Sequence, residues 1–119
     1  MSLCMPEMTL YHNPRCSKSR QALEILTKAK VTPQIREYMK DPLTQSEIKK
    51  LLSHLSIKSS ELLRKNEKIA KDLKLASASE KVIIQAMSKH PELIERPIFV
   101  CGKKAIVGRP PENVLDLLP

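Results

Sequence analysis

Near its C-terminal end the chain changes hydrophobic period, and that change commits it to a mixed α/β architecture. Ile98-Phe99-Val100-Cys101 and Lys104-Ala105-Ile106-Val107 flank Gly102-Lys103, a tight turn with glycine first, so these residues predict a β-hairpin. Upstream the apolar residues recur at helical spacing instead. Thr44-Gln45-Ser46-Glu47 reads as a capping box leading into Ile48, Leu51, Leu52 and Leu55, with Leu43 and Ile48 placed as a hydrophobic staple. A short helix is expected over residues 60–63. A second capping box, Ser77-Ala78-Ser79-Glu80, precedes Val82, Ile83, Ala86 and Met87, and Pro91 ends that helix.

The N-terminal third supplies the remaining pieces. Met8-Thr9-Leu10-Tyr11 is a short apolar run suited to a strand. Ala22, Leu23, Leu26 and Ala29 follow at helical spacing, with Ser17 available as a cap. A second short strand falls within residues 31–38, and beyond Gly108-Arg109-Pro110-Pro111 a last amphipathic helix carries Val114, Leu115 and Leu118. The order is strand, helix, strand, several helices, hairpin, helix. That is the thioredoxin-like order: an α/β fold with a small mixed sheet and a helical segment inserted mid-chain.

Size and composition narrow the function. With 119 residues, the chain is read as one domain over residues 8–119 behind a tail of residues 1–7, in part an expression remnant. Its aromatic residues are Phe99, Tyr11 and Tyr38, with no Trp, so the core is aliphatic and a base-stacking platform is nearly ruled out. The net charge of +8 asks for an anionic partner. Lys and Arg are spread from Arg15 to Arg109 among acids, which suits a small oxyanion bound by a few arginines at least as well as nucleic acid, and no nucleic-acid partner is expected. No membrane-length apolar run is present, and a membrane partner is not expected. Cys4, Cys16 and Cys101 form no CxxC pair, and His54 and His90 have no ligand spacing. The expectation is a cytoplasmic protein with free thiols, no metal and no tightly bound cofactor.

Cys16 stands out within His12-Asn13-Pro14-Arg15-Cys16-Ser17-Lys18-Ser19-Arg20, a polar loop that leaves the first strand and opens the first helix. Unpaired helix N–H groups, the positive end of the helix dipole and neighbouring cations all favour a thiolate there. The thiolate is the nucleophilic form, so this position predicts chemistry. Cys101 reads as a buried strand thiol and Cys4 as part of the tail.

Four blocks then resemble the glutaredoxin-dependent arsenate reductases over residues 9–119. They are Tyr11-His12-Asn13-Pro14 with Cys16 and Ser19-Arg20; Leu62-Leu63-Arg64-Lys65-Asn66; Glu95-Arg96-Pro97-Ile98; and Gly108-Arg109-Pro110 with Val114-Leu115-Asp116. The loop itself looks like that of a chromosomal subgroup of the family. The resemblance implies that Cys16 is the catalytic thiolate and that His12 helps to depress its pKa. It implies that Arg64, Arg96 and Arg109 bind the oxyanion and that Pro97 is a cis proline beside the cysteine; Asn13 and Ser19 read on their own as loop support. Arsenate is the implied substrate, with glutathione and glutaredoxin as reductants. Arginine suits such an anion because its planar fork meets two oxygens at once. Ser19 stands where some relatives carry a second cysteine, so an external thiol would be needed. Two alternatives share the fold: a thiol oxidoreductase with another substrate, and a non-enzymatic regulator that binds RNA polymerase. The serine in place of a second cysteine argues against a disulfide switch of the second kind.

Overall fold

Four short strands join in one mixed sheet of order β2-β1-β3-β4, where β1 is Met8–Tyr11, β2 Gln34–Arg36, β3 Ile98–Cys101 and β4 Lys104–Val107. The computed structural model describes residues 7–118; Cys4 and nearly all of the predicted tail lie outside the described residues. β1 pairs in parallel with β2 (Leu10 opposite Ile35) and antiparallel with β3 (Leu10 opposite Phe99). The predicted hairpin forms as β3 and β4, with Gly102 at φ 63°, a left-handed conformation that suits glycine.

The chain separates into two units, one built from Met1–Arg36 with Arg96–Pro119, the other from Glu37–Glu95. The first holds the sheet. Helix α1, Ser17–Lys28, buries Ala22 and Leu26 in a core with Leu10, Phe99, Cys101 and Val114. Its C-terminus closes in a Schellman motif: Lys30 N–H donates to Thr27 O and Val31 N–H to Leu26 O, with Lys30 at φ 63°. The last segment, Pro111–Leu117, is the expected helix, in 3₁₀ form. Pro110 and Pro111 remove N–H donors at its start, and at three residues per turn the buried Pro111 and Val114 share one face with Leu117.

The second unit is helical: α2 Gln45–Leu55, α3 Ser59–Leu62, α4 Lys68–Asp72 and α5 Glu80–Lys89. Its core includes Ile48, Leu51, Leu52, Ile83, Ile84 and Met87, with α2 and α3 packed on α5. The Thr44 capping box forms in full, Glu47 N–H donating to Thr44 Oγ1 and Thr44 N–H to Glu47 Oε1. The second expected box does not. Ser77 ends a short 3₁₀ turn, and Ser79 caps α5 by accepting from Val82 N–H at 3.4 Å. Glu80 is thereby freed to accept from Ser59 N–H at 2.8 Å, which ties α3 to α5. α2 ends in a second Schellman motif around Ser56, also in the left-handed region.

The order of elements is therefore thioredoxin-like, with the helical unit inserted between β2 and β3. No helix among the described residues is long and apolar enough to cross a membrane.

Candidate active site

Tyr11 is the last residue of β1, and the chain leaves the sheet through His12, whose N–H donates to Arg36 O at 2.9 Å. The loop then folds on itself. Cys16 N–H donates to Asn13 O at 2.9 Å, and Arg15 N–H to Asn13 Oδ1 at 3.0 Å, an Asx turn that sets the chain direction before the helix. Asn13 is thus loop architecture.

Beneath the loop lies a sealed polar pair. Ser19 is fully buried, and its Oγ accepts from Asn13 N–H at 3.0 Å while meeting His12 Nδ1 at 2.6 Å. A hydroxyl has one proton and two lone pairs, so it satisfies both partners whichever ring nitrogen of His12 carries the proton. A buried polar residue with every bond used costs little and fixes a unique geometry.

Cys16, not Ser17, is the N-cap of α1. It sits at φ −95° and ψ 123°, and no side-chain cap hydrogen bond of strict geometry closes on its sulfur. Burial pushes its thiol upward, and that effect is outweighed by groups that favour the anion. These are the Ser19 N–H, the Arg96 side chain acting as both hydrogen-bond donor and positive charge, and the Lys18 N–H. The net result lies below the ordinary value of 9.0. Sequence reasoning named the helix end and the neighbouring cations as the cause, and two N–H groups and one cation carry it. That cation is Arg96, distant in sequence. His12 is engaged with Ser19, the residue whose N–H faces the thiol.

Arg20, an apparent neighbour in sequence, is turned away: its Nη1 donates to Pro14 O at 3.0 Å. Arg15 and Lys18 are exposed.

Arg96 and Pro97 lead into β3, next to β1, and the Arg96–Pro97 peptide bond is cis. Arg109 follows β4, and its Nε donates to Arg96 O at 2.8 Å. The hairpin thus brings Arg96 and Arg109 together although they are thirteen residues apart. Gly108 permits this. A Cβ there would meet Pro97 Cγ at 2.9 Å and Val114 Cγ1 at 3.2 Å, while Gly108 N–H donates to Pro97 O at 2.8 Å. The glycine serves close approach here.

Arg64 belongs to the helical unit. Its backbone N–H donates to Leu93 O at 2.7 Å, beside an isolated bridge between Leu63 and Ile94. Its guanidinium lies between two half-buried carboxylates, Nη1 at 3.4 Å from Glu67 and Nε at 3.7 Å from Glu95.

Two of these arginines hold an unusual feature. Arg96 Nε and Arg64 Nη1 are buried nitrogens without a hydrogen-bond partner. A buried donor left unpaired costs about 1–3 kcal/mol, so native proteins rarely keep one without a reason. Sequence reasoning named both residues and could not have foreseen which atoms stay open. Among the described residues no cluster of His, Cys, Asp and Glu is arranged to hold a metal. Cys16 and Cys101 are both free thiols.

The profile of the ArsC family matches residues 11–117, which contain all of these groups. A protein of Escherichia coli K12 named uncharacterized protein YfgD is 44% identical over 115 residues, 94% of this chain and 97% of that one. An arsenate reductase of Neisseria meningitidis is 37% identical over 117 residues, covering 96% of this chain and 100% of its own. Among solved structures, the arsenate reductase from Vibrio cholerae superposes with a TM-score of 0.92 at 38% identity, over 96% of this chain and 99% of that one.

Proposed function

Because the chain belongs to the ArsC family, we propose that its Cys16 thiolate reduces arsenate to arsenite in the cytoplasm, with glutathione and glutaredoxin supplying the electrons. The observation that carries this reading is the buried, unpartnered Nε of Arg96 on the side chain that stabilises the thiolate. A tetrahedral oxyanion bound there would satisfy that nitrogen and present its central atom to the sulfur. Arg109, tied to the Arg96 carbonyl, is assigned to the same anion. Arg64, in the helical unit, is assigned to it on the resemblance of its block alone. His12 is read as holding Ser19 in place so that the Ser19 N–H stays aimed at the thiol. The His12–Arg20 segment supports reading the chain as one of the chromosomal subgroup of the family.

The reaction is written in three steps. The thiolate attacks arsenic(V), and an oxygen leaves as water after protonation, giving a Cys16–S–As bond. A glutathione thiolate then attacks the Cys16 sulfur. The S–As bond breaks with its electron pair passing to arsenic, so arsenite(III) departs and Cys16 remains as a mixed disulfide. Finally a glutaredoxin thiolate attacks the glutathione sulfur and releases the Cys16 thiolate. Ser19 cannot resolve a disulfide internally, so both thiols come from outside.

The test is NADPH consumption in a coupled mixture of arsenate, glutathione, glutaredoxin and glutathione reductase, run beside Cys16→Ser. Arsenate-dependent turnover in the parent and none in the variant supports the assignment. No turnover in the parent, with Cys16 still readily glutathionylated, removes arsenate and leaves a thiol oxidoreductase of another substrate.

A further inference from the structure

The active-site loop carries more positive charge than the thiolate uses. Arg96 and two backbone N–H groups account for the depressed thiol. Arg20 is bound back to Pro14 O. Arg15 and Lys18 remain, one residue before and two residues after Cys16, both exposed and neither side chain held by a hydrogen bond or an ion pair among the described residues. What holds Arg15 is its backbone N–H on Asn13 Oδ1, which leaves its side chain free. Lys28, further along the same helix, is instead paired with Glu24 at 3.1 Å.

We propose that Arg15 and Lys18 form a cationic rim that selects the second thiol substrate, favouring a thiol or disulfide that bears free carboxylates over an uncharged one. The inference rests on the thiol-exchange half of the proposed function. Charges at an exposed rim act on encounter and orientation more than on bound-state energy, and salt screens them. The pair flanks in the chain the cysteine that must meet an incoming glutathione, whose carboxylates give it a net negative charge. The small oxyanion, by contrast, is matched by the unpartnered guanidinium nitrogen of Arg96 beside the thiol.

The step tested is thiol–disulfide exchange. The Cys16 thiolate attacks one sulfur of a disulfide, forms a mixed disulfide and expels the other half as a thiolate, so no outside oxidant is needed. The probes are glutathione disulfide, which is anionic, and hydroxyethyl disulfide, which is neutral. The readout is the ratio of their second-order rate constants with Cys16, followed by mass spectrometry. Taking a ratio cancels any change in thiolate fraction or intrinsic nucleophilicity.

In the unaltered protein the ratio should fall severalfold as sodium chloride is raised from low to high concentration. In Arg15→Ala/Lys18→Ala it should drop by about threefold to tenfold at low salt and lose most of its salt dependence. Lys18→Ala retains the Lys18 N–H, and Arg15→Lys/Lys18→Arg should restore the ratio because it keeps the charge. Equal ratios in parent and double variant overturn the proposal, as does a salt-independent ratio in the parent, a result that needs no variant. Neither measurement contains arsenate. A protein inactive on arsenate that still prefers the anionic disulfide therefore overturns the substrate assignment and leaves the rim standing.

Discussion

The sheet unit and the helical unit each present an arginine, and the two are held in opposite ways. Arg96 faces a thiol, has no carboxylate partner among the described residues and keeps its Nε open. Arg64 is bracketed by Glu67 and Glu95, at ion-pair distances too long for strong hydrogen bonds. The difference teaches how one charge type can have two uses. An arginine beside a nucleophile, unneutralised, lowers a thiol pKa and is ready for an anion without giving anything up. An arginine between acids is desolvated at little cost and positioned, but an anion must compete for it.

The largest test of this contrast starts from the sulfur. Cys16→Ser should reduce arsenate turnover below detection in the coupled assay, because an alcohol of ordinary pKa cannot replace the thiolate in attack or in disulfide exchange. Residual turnover above background would show that the chemistry lies elsewhere. Its thermal unfolding also carries a signature. The folded-state thiol lies below 9.0, so between that depressed value and 9.0 the unfolded chain binds more protons than the folded one. Stability from this source is complete above 9.0 and is lost as pH falls through the folded value. The Tm difference between parent and Cys16→Ser should therefore shift in favour of the parent as pH rises through that window.

Arg96→Ala comes next. Removing a donor and charge from the thiolate should raise the pH at which Cys16 alkylates with iodoacetamide, and lower turnover by roughly 10²-fold at neutral pH. Arg64→Ala should raise KM for arsenate while leaving the alkylation profile in place. If both variants moved the thiol profile equally, the contrast between the two arginines would collapse.

Gly108→Ala probes the packing that brings Arg109 to Arg96. The added Cβ meets the Pro97 ring at 2.9 Å and Val114 at 3.2 Å, so the core must shift, at a cost of about 1–3 kcal/mol. Denaturant unfolding should show it as a lower midpoint at unchanged slope. The same substitution at Gly102 meets a different obstacle, its positive φ. An unchanged midpoint in Gly108→Ala would show that the Pro97 ring yields freely.

How much of this was legible in the residues follows from the range of each interaction. The hairpin, the Thr44 capping box and the helical face of α2 are local patterns, and each was readable because its determinants lie within a few residues. The thiol's setting was half local. The helix end was visible at Ser17 and beyond, but Arg96 reaches the sulfur only because β1 and β3 are neighbours in the sheet, which no local pattern states. Glu80 was misread because its sequence offered a capping partner while the fold offered Ser59, twenty-one residues away. The helix ends at Lys30 and Ser56 carried no glycine to announce their left-handed residues. The 3₁₀ segment was hidden because Val114, Leu115 and Leu118 also fit an α-helical face, and only the two prolines hinted at the tighter turn.

The smallest expected effect isolates the acids around Arg64. Glu67 is the better target, since Glu95 adjoins Arg96 in the chain and Glu95 N–H also holds Leu62 O. Glu67→Gln preserves side-chain shape and removes one charge 3.4 Å from Arg64 Nη1. Partly exposed ion pairs are worth roughly 0.2–1 kcal/mol, so neutralising this one should free Arg64 by no more than about fivefold. If Arg64 serves the oxyanion, KM for arsenate should fall by about two- to threefold, with the Cys16 alkylation profile unmoved. If the Glu67 charge instead holds Arg64 in its working position, KM should rise. The sign of this small change therefore decides whether the acids restrain the arginine or aim it, which is the point on which the two units differ most.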